Sequence, residues 1–269
     1  MDQFTLCLNT STIRPASLMD KIRITGQAGY GAIELWSDDL TKYEEENGSL
    51  DDVVKALKDN GLKVATLIAL HGWMDSTGEA YEKCLEEARR RMRQAAVLGS
   101  PYIIASPPRG QVDLDLGARR YKQLFEIGRE YGVKPAMEFL GFVDHVNQIK
   151  DAWYVVNNAD DPDGTIILDV FHIYKGGSGM DDLKKIPADK IAIFHINDAP
   201  ECPPLEQQTD ADRVYPGDGV APLDDMLNIV KASGYRGVIS LELFNPAYWA
   251  QDPEEVARVG LEKTKAALE

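Results

Sequence analysis

Four short apolar runs in the second half of a 269-residue chain are each broken by one group able to bind a cation. These are Glu138 in "AMEFL", Asp169 in "ILDVF", His195 in "IFHIN" and Glu242 in "SLELF". A run that reads as a buried strand gains nothing from an isolated carboxylate or imidazole, because a buried charge is costly unless it is paired. Three carboxylates and an imidazole brought together would repel and lose hydration unless a cation sat among them. A divalent metal removes that difficulty. Three oxygen donors with one nitrogen suit one Mn²⁺, Mg²⁺, Co²⁺ or Zn²⁺ ion without choosing among them, and the lack of thiolate donors argues against a structural zinc site.

Such a centre has a definite use. With four protein ligands, an octahedral metal keeps two positions for a bidentate substrate. A ketone oxygen and its neighbouring hydroxyl held there would acidify the C–H between them and give a metal-stabilised enediolate. A carboxylate on one face could remove that proton and one on the other face return it. His172, three residues beyond Asp169 in "LDVFH", could reach a substrate oxygen from just past the strand end. Further candidates for substrate contact are Arg213 in "DRVYPGDG", Trp36 in "IELW", His71 and Trp73 in "LHGW", and Lys175. Trp36 and Trp73 could wall a ring's C–H face or equally be ordinary packing; Glu34 in "IELW" is a candidate of the same kind.

These groups need elements that hold them at one level. The chain alternates short β-branched runs with amphipathic segments: strands are expected at 4–10, 32–36, 63–70, 102–108, 134–141, 165–172, 191–198 and 237–244. Between them lie helices, one capped by Ser17 and ending among Gly26, Gly29 and Gly31, another over "LDDVVKALKDNG" with Asp at its start and Gly past its end. Others are expected near 78–98, 115–131, 147–158, 181–186 and 222–233, with a last one from Pro253 onwards. The strands are mostly continuous apolar runs, as parallel strands covered by helices should be. Eight βα units in this length predict an α/β fold, a single (β/α)8 TIM barrel forming one domain over residues 1–269. No GxGxxG follows the first strand, against an open dinucleotide-binding sheet. In a barrel of this kind the carboxyl ends of the strands carry the active site, which is where Glu138, Asp169, His195 and Glu242 fall.

Composition narrows the partners. The net charge of −15 argues against nucleic acid, whose binding rests on Lys and Arg contacts to phosphates, and against anionic lipid. The first twenty residues have no basic start and no apolar segment, and no run approaches a membrane span, so a cytoplasmic protein is expected. Cys7, Cys84 and Cys202 are odd in number and scattered, which fits free thiols.

The segments "MEFLG", "LDVFH" with "GGS", "FHINDAP", "DADRVYPGDG" and "VISLELFNPAYW" together resemble the xylose-isomerase-like TIM-barrel superfamily over most of residues 134–250. That superfamily includes sugar isomerases, ketose 3-epimerases, inosose-processing enzymes and endonuclease IV, and the inosose isomerases are nearest in likeness. The resemblance implies Glu138, Asp169, His195 and Glu242 as metal ligands, in agreement with the residue-level reading. It implies Glu138 and Glu242 as the acid/base pair, His172 as a substrate contact, and Arg213 as a contact to substrate or to the ligand shell. Pro216, Gly217 and Gly219 would shape the turn leading towards strand eight. The expected activity is isomerisation or epimerisation of a keto-cyclitol (inosose) or keto-sugar, as in inositol catabolism. The alternative is a lyase or dehydratase acting on an inosose or a 3-keto-glycoside, since only the fate of the carbanion differs. An endonuclease would need more than the four histidines present and a basic face. A non-catalytic barrel that had kept its metal centre would be expected to show a decayed ligand set, and this one is whole. No cluster of basic residues or glycines marks a phosphate cradle, so an unphosphorylated small molecule is expected, with room for a homo-oligomer. The segment "GFVDH" after Glu138 departs from the His-Pro loop of close relatives, a loop that touches substrate.

Overall fold

A computed structural model describes residues 4–269. Eight strands close into a parallel barrel in chain order: β1 Thr5–Asn9, β2 Ala32–Trp36, β3 Lys63–Leu70, β4 Tyr102–Ala105, β5 Lys134–Met137, β6 Ile166–Asp169, β7 Ile191–Ile196 and β8 Val238–Leu241, with β8 pairing back to β1. Among the described residues eleven α-helices accompany them, and no helix is long and apolar enough to cross a membrane.

The local chemistry explains the helix bounds. Ser17 starts Leu18–Ala28 by accepting from Asp20 N at 3.2 Å, and Gly29 ends it at φ 97°, a left-handed position that glycine takes without a Cβ clash. Ser49 caps Leu50–Asp59, and Asp113 caps Leu114–Tyr131. The helix Ser37–Glu45, directly after β2, has no counterpart in the sequence reading. It lacks a side-chain cap and starts on the strand's own last residue, so the usual punctuation is missing.

Strand alternation sorts the side chains. Outward residues such as Leu8, Ile33, Leu168 and Phe194 pack under the helices in the main core. A smaller apolar cluster built only of strand residues, among them Cys7, Ala32, Ile104, Ala136, Ile167 and Ile193, fills the barrel interior. Two residues further along each strand, the next inward position is polar: Asn9, Glu34, Ser106, Glu138, Asp169 and His195. The registers agree, pairing Asn9 with Glu34, Asp169 with His195, and His195 with Ser240.

Six of the eight expected strands are shorter than read, and three of these bear on the site. Glu138 and Glu242 lie one residue past the last paired residues of β5 and β8. β6 stops at Asp169, and His172 stands in the first turn of helix Val170–Gly176. The reason is the acid itself: Asp169 Oδ1 accepts from His172 N at 2.8 Å, so the strand's last residue is also the helix cap.

Candidate active site

At the carboxyl end of the barrel, Asp169, His195 and Glu242 converge. One ligand-capable atom from each lies within 4.8 Å of the others, and all three residues are buried. His195 is fully enclosed. Its Nε2 lies 3.2 Å from Glu34 Oε2, and its Nδ1 stands 3.2 Å from Glu242 Oε2 and 3.7 Å from Asp169 Oδ2 without making a hydrogen bond. A buried nitrogen with no partner, aimed at two carboxylate oxygens, is unusual in a folded protein. A divalent cation fits it: one imidazole nitrogen and two carboxylate oxygens converging in a dry site are a suitable donor set.

Electrostatics point the same way. Burial opposes protonation of His195, yet the carboxylates of Glu242 and Glu34 outweigh it and push the imidazole well above its usual range. Burial also opposes ionisation of Glu242, but His195 and Arg213 hold it well below the ordinary carboxylate range. Glu138 goes the other way. Burial, then the negative charge of Glu242, raises it to about 8. Two carboxyls on one cavity with their proton affinities driven apart are suited to be an acid and a base.

Glu138 stands outside the tight triad. Its Oε2 accepts from Ser106 Oγ at 2.7 Å, and the side chain lines the same cavity as Glu242. Of the four expected ligands, Asp169, His195 and Glu242 meet, and Glu138 shares the cavity lining with Glu242.

Arg213, only 1% exposed, is anchored by its loop. Asp198 and Val214 pair as an antiparallel bridge. The Asp198 carboxylate accepts from Gly217 N and Gly219 N, both at 3.1 Å, and from Ala221 N at 3.0 Å. A Cβ on Gly219 would fall 2.3 Å from Ala199 O, so only glycine fits there. So held, Arg213 Nη1 donates to Asp169 Oδ2 at 3.0 Å and to Glu242 Oε2 at 2.7 Å, while Nη2 bonds Asp210 and approaches His172 Nε2 at 2.9 Å. His172 is buried and pulled below its usual range, chiefly by burial. Gly141 N donates to its Nδ1 at 3.2 Å, so both ring nitrogens face a donor.

A cavity of about 540 Å³ opens above these groups. Trp36 and Phe244 form one wall, edge to face with centroids 6.1 Å apart. His71 and His172 also line it, and Phe142 from the "GFVDH" segment packs on His172 at 5.4 Å.

Two candidates take partners elsewhere, and Lys175 is a correction. Lys175 follows His172 by three on helix Val170–Gly176 but does not line the cavity; its ammonium donates to the carbonyl of Leu205. Trp73 is packing, buried against Tyr121 with its indole N–H on Ser106 O at 3.0 Å. Four polar residues were not anticipated. Asn9 and Ser106 extend the inward alternation of β1 and β4. Asn197 follows His195 by two and donates to Asp169 Oδ2 at 3.0 Å. Arg109 lies on the cavity rim, and no ion pair engages it among the described residues. The signal for the first three was the same period-2 continuation that marks Glu138 and Asp169.

Comparisons with known proteins follow this geometry. A family model described as xylose isomerase-like TIM barrel matches residues 22–267. An inosose isomerase of Halalkalibacterium halodurans is 32% identical, over 96% of this chain and 94% of that protein. A 3-dehydroshikimate dehydratase of Pseudomonas putida is 28% identical over 94% of this chain but 41% of its own length. A crystal structure of the IOLI protein with a binding zinc atom superposes with a TM-score of 0.92 at 28% identity, covering 98% of each chain.

Proposed function

We propose, for a chain that belongs to the xylose isomerase-like TIM barrel family, that it is a metal-dependent inosose isomerase. The observation that carries this reading is the partnerless Nδ1 of His195, set between Asp169 and Glu242 under a cavity that also holds Glu138. Likeness to inosose isomerases over nearly the whole chain supports the substrate class, and the zinc-bound relative supports a metal.

Asp169, His195 and Glu242 would hold the ion, with Glu138 on the lining of the same cavity. When bound, a divalent metal would acidify the C–H beside a ketone and offset the charge that develops on oxygen. The protein's own groups do the rest. Glu138 and Glu242 take the proton and return it, one to each face of the planar enediolate carbon. Arg213 and His172 face the hydroxyls beside the reacting carbon. Trp36 and Phe244 lie along the apolar face of the cyclitol ring and keep water from the carbanion.

A second reading, loss of water from a cyclic keto acid, is favoured by one observation: Arg109, exposed on the cavity rim, offers a guanidinium to a substrate carboxylate. Proton NMR in D₂O separates the two. Metal-loaded protein would be given 2-keto-myo-inositol, and separately 3-dehydroshikimate, each with a chelated control. Deuterium beside the ketone with a new stereoisomer supports the isomerase. Loss of water supports the lyase. Exchange with neither, in protein that holds metal, overturns both.

A further inference from the structure

Glu34 has no part in the proton transfers above, yet it is fully buried at the level of the metal-binding triad, 161 residues from the histidine it touches. A buried carboxylate in this place needs a reason. Three donors converge on it. His195 Nε2 lies 3.1 Å from Oε1 and 3.2 Å from Oε2; Asn9 Nδ2 donates to Oε1 at 3.3 Å; Ser240 Oγ also bonds Oε1. The Asn9 amide cannot be turned over, because its Oδ1 already accepts from Ser11 N at 3.0 Å. The same Asn9 Nδ2 donates to Glu242 Oε1 at 2.8 Å, leaving Glu242 Oε2 towards His195 Nδ1.

We propose that Glu34 is a positioning residue of the metal centre: it accepts the Nε2–H of His195, fixes that tautomer, and so aims the Nδ1 lone pair at the point that Asp169 and Glu242 share. A carboxylate accepts and never donates, so the proton of a neutral His195 must stand on Nε2. Asn9 joins the two halves, tying Glu34 to Glu242 so that the ring and the second carboxylate are set together. Outer carboxylates that orient a ligating imidazole in this way raise metal affinity about 10- to 100-fold in other sites.

The inference rests on the metal reading, and its test separates the two. Zinc is titrated into the ¹⁵N-labelled protein against a competing chelator, and long-range ¹H–¹⁵N correlations report which ring nitrogen carries the proton; His195 is identified by its loss in His195→Asn. The expected wild-type result is a proton on Nε2 and zinc on Nδ1. In Glu34→Gln the amide oxygen keeps the Asn9 and Ser240 donors, which turns the NH₂ towards His195. The proton should then move to Nδ1 and zinc affinity should fall about 10- to 100-fold. Glu34→Asp is the poorer match in volume but still accepts only, so it should keep the proton on Nε2 and bind zinc better than Glu34→Gln. A packing role would give the opposite order. Glu34→Gln equal to or tighter than Glu34→Asp overturns the proposal, as does a zinc-loaded wild type with its proton on Nδ1, which needs no variant to fold. A wild type that binds no divalent ion overturns the metal reading and this inference together.

Discussion

Arg213 Nη1 stands 2.7 Å from Oε2 of Glu242, the oxygen that His195 Nδ1 approaches at 3.2 Å from β7. One carboxylate oxygen is therefore shared between a fixed guanidinium and the partnerless nitrogen of the candidate metal site. Arg213 supplies part of the positive charge that Asp169, Glu242 and Asp210 demand, and a metal would supply the remainder.

Truncating Arg213 should accordingly cost most when no metal is present. Arg213→Ala leaves buried carboxylates unpaired, and removal of one partner from such a cluster costs about 3–5 kcal/mol. Urea unfolding in chelator should show a loss of that size, and saturating zinc should recover part of it. Equal losses with and without metal would mean that the ion and the arginine do not share the same charges.

Loading the protein with metal should stabilise it. An ion at about 100 times its dissociation constant adds roughly 2.7 kcal/mol, or about 5–10 °C in Tm for a chain of this size. Differential scanning calorimetry with Zn²⁺, Mn²⁺, Co²⁺ and Mg²⁺ against chelator measures it. His195→Gln should abolish the shift, and absence of a shift with all four ions would count against a metal centre.

Glu138 lies beside the triad, bonded to Ser106, and its removal should separate chemistry from binding. Glu138→Gln should lower kcat for exchange of the proton beside the ketone by about 10²–10⁴-fold, the usual share of a general acid or base. Zinc affinity should change far less than in His195→Gln. If Glu138→Gln loses its metal as fully as His195→Gln does, Glu138 is a full ligand rather than chiefly a proton carrier.

The aromatic wall should act on affinity. Trp36→Ala removes about 1–2 kcal/mol of apolar contact, roughly 5- to 30-fold in KM, while kcat holds within the same order. Steady-state kinetics on 2-keto-myo-inositol would decide it; an unchanged KM would put the ring elsewhere in the cavity.

Lys175 gives the contrasting expectation. Its ammonium is spent on the Leu205 carbonyl, so Lys175→Met should leave both kcat and KM close to wild type. A large rise in KM would return Lys175 to the substrate site.

Much of this was legible in the order of residues. Strand bounds at Ala32–Trp36 and Lys63–Leu70 matched the expected runs residue for residue, because a parallel strand covered by helices reads as a mostly apolar run. Glu138, Asp169, His195 and Glu242 stood out because each broke such a run. Their meeting at one depth followed from the barrel's rule that strands run parallel and end together.

What only the tertiary structure decided is which of these groups touch. Sequence spacing places residues along one strand, but Glu34 and His195 meet across the barrel interior, where closure of the sheet sets the distance. The bond from Asn9 to Glu242 joins strands at the two ends of the chain, paired only because β8 returns to β1. Lys175 and Trp73 show the same: a side chain near the site in sequence takes whichever partner packing puts first, here Leu205 and Ser106. The residue types alone raised the expectation of a cation. The fold determined that Asp169, His195 and Glu242 converge, because a buried charge is governed by its neighbours in space.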